Sequence, residues 1–382
     1  MGARPRTLVV PVAVLVASAM VVACVVLATA VLHERPRRSV AAPVAGGPTG
    51  AHPRPVGELR RSAWVPYWDD GTAARSFAGA PGAFSSLHLF WFEVQDASTI
   101  RRQVKGDELV RTAARAGVPV IATVANPMAQ DRFGALLADP KARHDHVAAL
   151  CALANDPVLS GIDLDYEHFA VDVPDDRTSA LAAGFTGFVG EVAQCVHGLG
   201  KRVEVTVMAR TDDAARADYR PKLAVGVYDY AALGAIADVV RPMAYDQHYP
   251  GGPSGSVDPL DWVDRVASYA VARVPAGRLE LGIPLYGEDW DESTHRASSV
   301  AASAAPVRAS NHAAAVTIDP SSGSSTFSYR VGSVEHRVWF DDSAATRARV
   351  DVAARYGLAG VTFWALGNEQ ADLWSALPPA PR

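Results

Sequence analysis

A closed (β/α)8 barrel is the fold class this sequence predicts, on three observations. From Arg61 onward, eight short apolar runs alternate with longer helix-like segments. Most of the runs are apolar enough to be buried on both faces, as parallel strands covered by helices must be. No glycine-rich nucleotide loop follows the first run, where an open doubly wound sheet would usually carry one.

The predicted strands are, in order, residues 63–68, 86–92, 119–124, 161–167, 204–208, 239–244, 279–284 and 360–364. The clearest intervening helix, over residues 178–199, has apolar residues at helical spacing and ends in Gly200-Lys201. One connection breaks the rhythm. Between the seventh and eighth strands, residues 288–343 are rich in Ser, Ala and Thr, and two short runs at 326–329 and 337–340 flank Gly332 as a hairpin would. Insertions after a barrel strand sit at the C-terminal face, where barrel active sites lie. A small α+β insertion walling a cleft is one reading of this segment; a disordered Ser/Ala loop over 291–325 is the other.

The barrel is expected over residues 61–378. Ahead of it, Arg4 and Arg6 precede a continuous apolar run from Leu8 to Leu32. That run exceeds the roughly 20 residues needed to cross hydrocarbon and the usual core of a signal peptide. Residues 1–32 therefore read as a transmembrane helix that would tether an extracytoplasmic domain to the membrane. Cleavage after Ala28-Thr29-Ala30, or at a lipoprotein box around Val22-Ala23-Cys24, are the alternatives. Residues 33–60, rich in Pro, Gly, Ala and Arg, read as a flexible linker.

Composition, 49% hydrophobic and 20% charged, excludes global disorder. A net charge of -5 with scattered basic residues gives no nucleic-acid surface. Cys151 and Cys195 are open to two readings, one disulfide in an oxidising compartment or two buried thiols. No metal-ligand spacing is visible.

The octet from Ser160 to Glu167 carries the chemistry. Strand alternation points Asp163, Asp165 and Glu167 one way and Ile162, Leu164 and Tyr166 the other. In a parallel barrel the apolar set faces the helices, which lines three carboxylates up inside. Like charges that close raise at least one pKa, and a carboxyl kept protonated near neutral pH can act as an acid. Glu167, at the barrel mouth, is best placed to reach a ligand. A solvent-facing or calcium-binding strand is the bland alternative, and the apolar flanks argue against it. The acids are stacked on one strand and not set across a sugar as in a two-carboxylate glycosidase.

The run from Gly161 to Glu167 resembles the D-x-x-D-x-D-x-E signature of glycoside hydrolase family 18, the chitinase family, with Ser160 replacing its outermost acid. Met243-Ala244-Tyr245-Asp246 is similar to the family's M-x-Y-D motif, and Trp364 to the tryptophan that floors its sugar subsite. Trp64-Val65-Pro66-Tyr67-Trp68 and Phe363-Trp364-Ala365-Leu366-Gly367 look most like the branch associated with spore germination and cortex lysis. The resemblance implies hydrolysis of N-acetylglucosamine-containing polysaccharide, peptidoglycan or chitin-like, with retention and with no cofactor. It implies that Glu167 is the general acid and that Asp165 orients the substrate acetamido group. By the same resemblance Asp163 tunes Asp165 through a shared proton, and Tyr245 donates to the acetamido oxygen. Asp246 and Met243 would help bind substrate.

Other strand-end residues, Trp64, Tyr67, Trp91, Glu93, Asn126 and Arg210, are expected either to contact sugars or simply to pack. The main rival is a lectin-like member of the same fold. Such members typically lose one of the acids that Asp163, Asp165 and Glu167 represent, so the intact ladder favours an enzyme.

Overall fold

Eight parallel strands close on themselves in the computed structural model, which describes residues 52–104 and 106–381. The helix expected over 1–32, and the linker as far as residue 51, lie outside the described residues. The first strands are β1 (Arg60–Pro66) and β2 (Ser86–Val94), with the short β3 (Ile100–Arg102) added antiparallel to β2. The barrel continues through β4 (Val120–Ala125), β5 (Leu159–Asp165), β6 (Arg202–Met208), β7 (Val239–Met243) and β8 (Glu280–Pro284). An insertion then contributes β9 (Tyr286–Asp291), β10 (Arg296–Ala301), β11 (Thr317–Ile318), β12 (Ser325–Val331) and β13 (Val334–Phe340). Finally β14 (Gly360–Trp364) pairs with β8 and β1, and β1 pairs with β2 to complete the ring.

The helices are α1 (Asp70–Gly79), α2 (Asp107–Ala116), α3 (Gln130–Ala138), α4 (Pro140–Ala154), α5 (Asp175–Gly198), α6 (Tyr230–Ile236), α7 (Leu260–Val271), α8 (Ala305–Asn311), α9 (Ser343–Arg355) and α10 (Leu373–Ala376). Helix α5 buries Thr178, Leu181, Phe185, Phe188, Val192 and Val196, a three-to-four-residue spacing that gives it one apolar stripe. Phe185 and Phe188 meet Phe133 of α3 and Tyr166, which leaves β5 on its helix side. The Tyr166 hydroxyl and His146 Nε2 of α4 are 2.7 Å apart. The outward set of the octet thus packs as the alternation requires.

Strand positions agree with expectation to within a few residues, with two consequences. Strand β5 ends at Asp165, so Glu167 sits just beyond it, opening a short 3-10 turn. The barrel also begins earlier than residue 61. The Arg54 amide bonds the Ala354 carbonyl at 2.9 Å, and Arg60 already belongs to β1. Charge concealed this start, because Arg61 is fully buried and donates to the Pro378 carbonyl, burial lowering its pKa to about 10.

The insertion is an ordered five-stranded antiparallel sheet in the order β10-β9-β13-β12-β11, with α8 packed on it. The alternative of a disordered loop over 291–325 is therefore corrected. Val300, Ala305, Ala309, Phe327, Val338 and Phe340 give the unit its own small core, which many short polar residues hide in the sequence. The hairpin joins Val331 and Val334 through Gly332 and Ser333, with Gly332 at φ +60° as a two-residue turn requires. Cys151 of α4 and Cys195 of α5 form a disulfide.

Candidate active site

The deepest layer of the barrel is an ion cluster built from alternate residues of apolar strands. Asp163 accepts from Trp64 Nε1 at 3.1 Å and from the Thr123 and Thr206 hydroxyls at 2.9 Å each. It also faces Arg241 Nη1 at 3.2 Å and His88 Nδ1 at 3.5 Å. Arg241 in turn pairs with Glu204 and Glu280 and donates to Thr362 at 2.7 Å. Burial alone would push these carboxyls up, but Arg241 and the converging donors outweigh it. Asp163 is held well below the usual range and Glu280 is brought down to about 2. Among the described residues the hydrogen-bond and ion-pair partners of Asp163 all belong to this floor, and its charge is one cause that raises Asp165 above it.

One layer up, the logic reverses. Asp165 is 6% exposed, and burial followed by the charges of Glu167 and Asp163 raises its pKa well above the ordinary value. Its carboxyl hydrogen-bonds that of Glu167, while its Oδ1 is buried with no partner among the described residues. Glu167 is pushed up to about 7, by burial and then by Asp246, with Arg220 and the bond to Asp165 opposing. Asp246, at φ +62°, is raised by burial and pulled back by the hydrogen bond it accepts from Tyr286 of the insertion. Tyr245 is buried, and burial plus the charges of Glu167, Asp165 and Asp246 keep its phenol protonated as a donor. Backbone contacts hold Glu167 in place, since the Tyr228 hydroxyl bonds the Tyr166 carbonyl at 2.7 Å and the Ala170 amide bonds the Glu167 carbonyl at 2.9 Å.

Aromatic rings flank these carboxyls. Trp364 is partly exposed and makes edge contacts with Phe90, Trp64 and Trp68 at centroid distances of 5.0, 5.9 and 6.0 Å. Trp68 in turn meets Tyr67 at 4.9 Å and is 45% exposed, a large apolar face left open next to Trp364. Such faces suit the apolar side of a sugar ring.

The structure brings together Asp163, Asp165, Glu167, Tyr245, Asp246 and Trp364, with Met243 ending β7, 8% exposed, and Tyr67 beside Trp68. The other strand-end residues fall between the two readings given for them. Trp64, 2% exposed, lies inside the barrel with its indole N–H on Asp163 and Arg241 over its ring, so it supports the floor. Trp91 is wholly buried at a bulge in β2. Arg210 bonds the Tyr228 and Ala214 carbonyls and props the loop between β6 and α6. Asn126 bonds the Met128 amide, and Glu93 accepts from Gln95 at 2.9 Å, near His168.

Sequence reasoning missed the Arg241–Glu204–Glu280–His88 network, although charges alternating within otherwise apolar strands were a readable sign of it. It also missed Trp68, Phe90, Tyr286 and Arg220. The last two come from the insertion and a long loop, whose packing no local pattern announces. Among the described residues, no group of three or more His, Cys, Asp or Glu side chains is arranged to hold a metal. A hollow of about 660 Å³ beside Cys151 and Cys195 lies on the outer helices and is lined by none of the mouth carboxyls.

Comparison with known proteins agrees with this geometry. The glycosylase YvbX of Bacillus subtilis, itself uncharacterized, is 30% identical over 250 residues, 65% of this chain and 69% of its own length. A cortical fragment-lytic enzyme of Bacillus anthracis is 24% identical over 76% of this chain, and the match spans 66% of that enzyme. Among solved structures, a chitinase from Chromobacterium violaceum superimposes with a TM-score of 0.73 at 24% identity, covering 83% of this chain and 97% of its own. The Bacillus cereus spore cortex-lytic enzyme SleL superimposes with a TM-score of 0.71 at 20% identity, covering 83% and 73%. These two likenesses concern the fold. Residues 64–369 match the sequence model of glycosyl hydrolases family 18, and the chain belongs to that family.

Proposed function

We propose that the chain is a retaining glycosidase that cleaves linkages beside N-acetylglucosamine by substrate assistance, in peptidoglycan or a chitin-like glycan. One observation carries the reading. Two carboxyls, buried Asp165 and half-buried Glu167, are pushed towards the protonated form at the barrel mouth, with one Asp165 oxygen unpartnered among the described residues. An acid poised near pH 7 suits proton transfer to a leaving oxygen, and an unpartnered buried acceptor suits an amide N–H of the ligand.

In the proposed cycle Glu167 protonates the glycosidic oxygen as its bond to C1 breaks. The acetamido oxygen of the same sugar closes on C1, with its N–H held by Asp165 and its oxygen bonded by Tyr245. Water then attacks C1 from the side the leaving group vacated, giving its proton to Glu167, and the acetamido oxygen departs. Two inversions give net retention. Asp246 keeps Glu167 protonated, and Trp364 with Trp68 supports the ring. A relative named cortical fragment-lytic enzyme and one named chitinase C, from Streptomyces lividans and 25% identical over 267 residues, support the two candidate glycans. The reading puts the barrel outside the cytoplasm, anchored through residues 1–32. The Cys151–Cys195 disulfide supports an oxidising location.

The test compares the purified full-length chain with its Glu167→Gln variant on chitooligosaccharides and on peptide-free peptidoglycan strands, with products read by mass spectrometry. Cleavage lost in the variant supports the glycosidase and names its polymer. Binding by both proteins without cleavage by either would make the barrel a lectin.

A further inference from the structure

We propose that Arg220 is a specificity residue that reads a carboxylate on the glycan, selecting charged strands over neutral ones; this rests on the glycosidase reading above. Its guanidinium is half-buried and lies 4.6 Å from the centroid of the Tyr249 ring, yet it makes no hydrogen bond or ion pair with any described residue. Most of the other half-buried or buried arginines here are tied down: Arg210 to carbonyls, Arg216 to Asp175, Arg273 to Asp213, Arg241 and Arg349 to carboxylates. A guanidinium presents a planar fork matched to a carboxylate, and a partly desolvated one with no partner is costly unless a ligand completes it.

Its position is built into the backbone. Leu223 bridges Val171, the Asp172 amide bonds the Lys222 carbonyl at 2.8 Å, and the Ala224 amide bonds the Ala170 carbonyl at 2.8 Å. The loop carrying Arg220 is thereby sewn to the segment that follows Glu167. Its charge is felt at Glu167, Asp246 and His168, which places it beside the acid and not on a remote face. Glu167 is itself drawn towards the neutral form, so it offsets this positive charge only in part. A chitin strand brings no charge to it. A strand that alternates N-acetylglucosamine with N-acetylmuramic acid brings a lactyl carboxylate, and a peptide-bearing strand brings stem carboxylates instead.

The experiment measures kcat/KM of the wild type, Arg220→Gln and Arg220→Lys on four substrates: peptide-free strands, the same strands with carboxyls reduced to alcohols, peptide-bearing strands, and chitohexaose. Losing a charge-assisted pair should lower the charged-to-reduced ratio about tenfold or more in Arg220→Gln, with Arg220→Lys between. A ratio lost on peptide-free strands names the lactyl group; one lost only on peptide-bearing strands names the stem. Equal losses on charged and reduced strands would overturn the inference, leaving Arg220 as an influence on Glu167 alone. Binding is measured in parallel by calorimetry in the Glu167→Gln background. An Arg220-dependent charge preference there, without wild-type hydrolysis, would keep this inference and sink the glycosidase reading.

Discussion

Asp163 and Glu167 stand four residues apart on one line of the barrel, and their protons are driven in opposite directions. At the floor, Asp163, Glu204 and Glu280 surround Arg241, and burial strengthens their attraction to it. At the mouth, Asp165 is buried and Glu167 and Asp246 are half-buried, but their nearest charges are one another, and Arg220 is too far away to form an ion pair. A carboxyl such as Asp163 is drawn towards the ionised form where a guanidinium is in contact, and Asp165 and Glu167 towards the protonated form where none is. A single buried arginine therefore divides a structural layer from a chemical one.

The sharpest way to break this comparison is to remove the mouth acid. Glu167→Gln keeps the shape and hydrogen-bonding reach but no longer supplies a proton, so hydrolysis should fall by roughly 10²–10⁴-fold. The circular dichroism spectrum and denaturation midpoint should stay close to wild type. A variant that keeps most of its activity would transfer the acid role elsewhere in the mouth.

The floor should fail in the other way. Arg241→Met leaves three buried carboxylates without their cation, a loss on the order of 3–5 kcal/mol in unfolding free energy at neutral pH. Urea denaturation measures it. The sign with pH follows from the shifts. Asp163 and Glu280 are held below their ordinary values in the folded wild type, so the stability they contribute is present above the ordinary carboxylate range and is lost as pH falls through their folded values. The deficit of the variant should therefore shrink towards pH 3. A deficit independent of pH would mean that Arg241 matters through packing rather than charge.

The mouth gives the opposite pH dependence. Glu167 is raised from 4.5 to about 7, so its folded form binds the proton more tightly. Its contribution to stability is complete below its unfolded value and is lost as pH rises to about 7. Activity that needs the protonated acid should decline over the same upper limit, with kcat/KM falling about tenfold per pH unit above it. A flat profile to pH 9 would remove Glu167 as the group that donates.

What the sequence reveals follows this division. The barrel is legible because its strands are apolar runs of the right length, and the acid ladder because three carboxylates two residues apart in such a run have no cheap structural explanation. The floor was legible in principle, for Glu204, Arg241 and Glu280 each interrupt an apolar strand. Their mutual pairing was not, because it depends on which strands adjoin in the ring and at what register. Trp64 shows the limit from the other side. An aromatic at a strand end reads the same whether its indole meets a sugar or, as here, Asp163 inside the barrel. Tyr286 and Arg220 reach the mouth from an insertion and a loop more than 50 residues away from Glu167, and no periodicity connects them to it.

Tyr286 provides the finest test of how the mouth is tuned. Its hydroxyl donates to Asp246 and opposes the effect of burial on that carboxyl. In Tyr286→Phe this opposition disappears, so Asp246 should hold its proton to higher pH. A more neutral Asp246 repels the Glu167 carboxylate less, and that repulsion is one of the two causes that raise Glu167. The upper limb of the kcat/KM profile should accordingly move to lower pH, by up to about one unit, since one pKa unit corresponds to about 1.4 kcal/mol and a hydrogen bond to a charged group is worth about that much or more. The direction is the discriminating feature. A lower kcat with an unmoved limb would mean that Tyr286 only shapes the cleft wall. A limb that moved upward would mean that Asp246 loses its proton when the phenol is removed, contrary to the burial that dominates its environment.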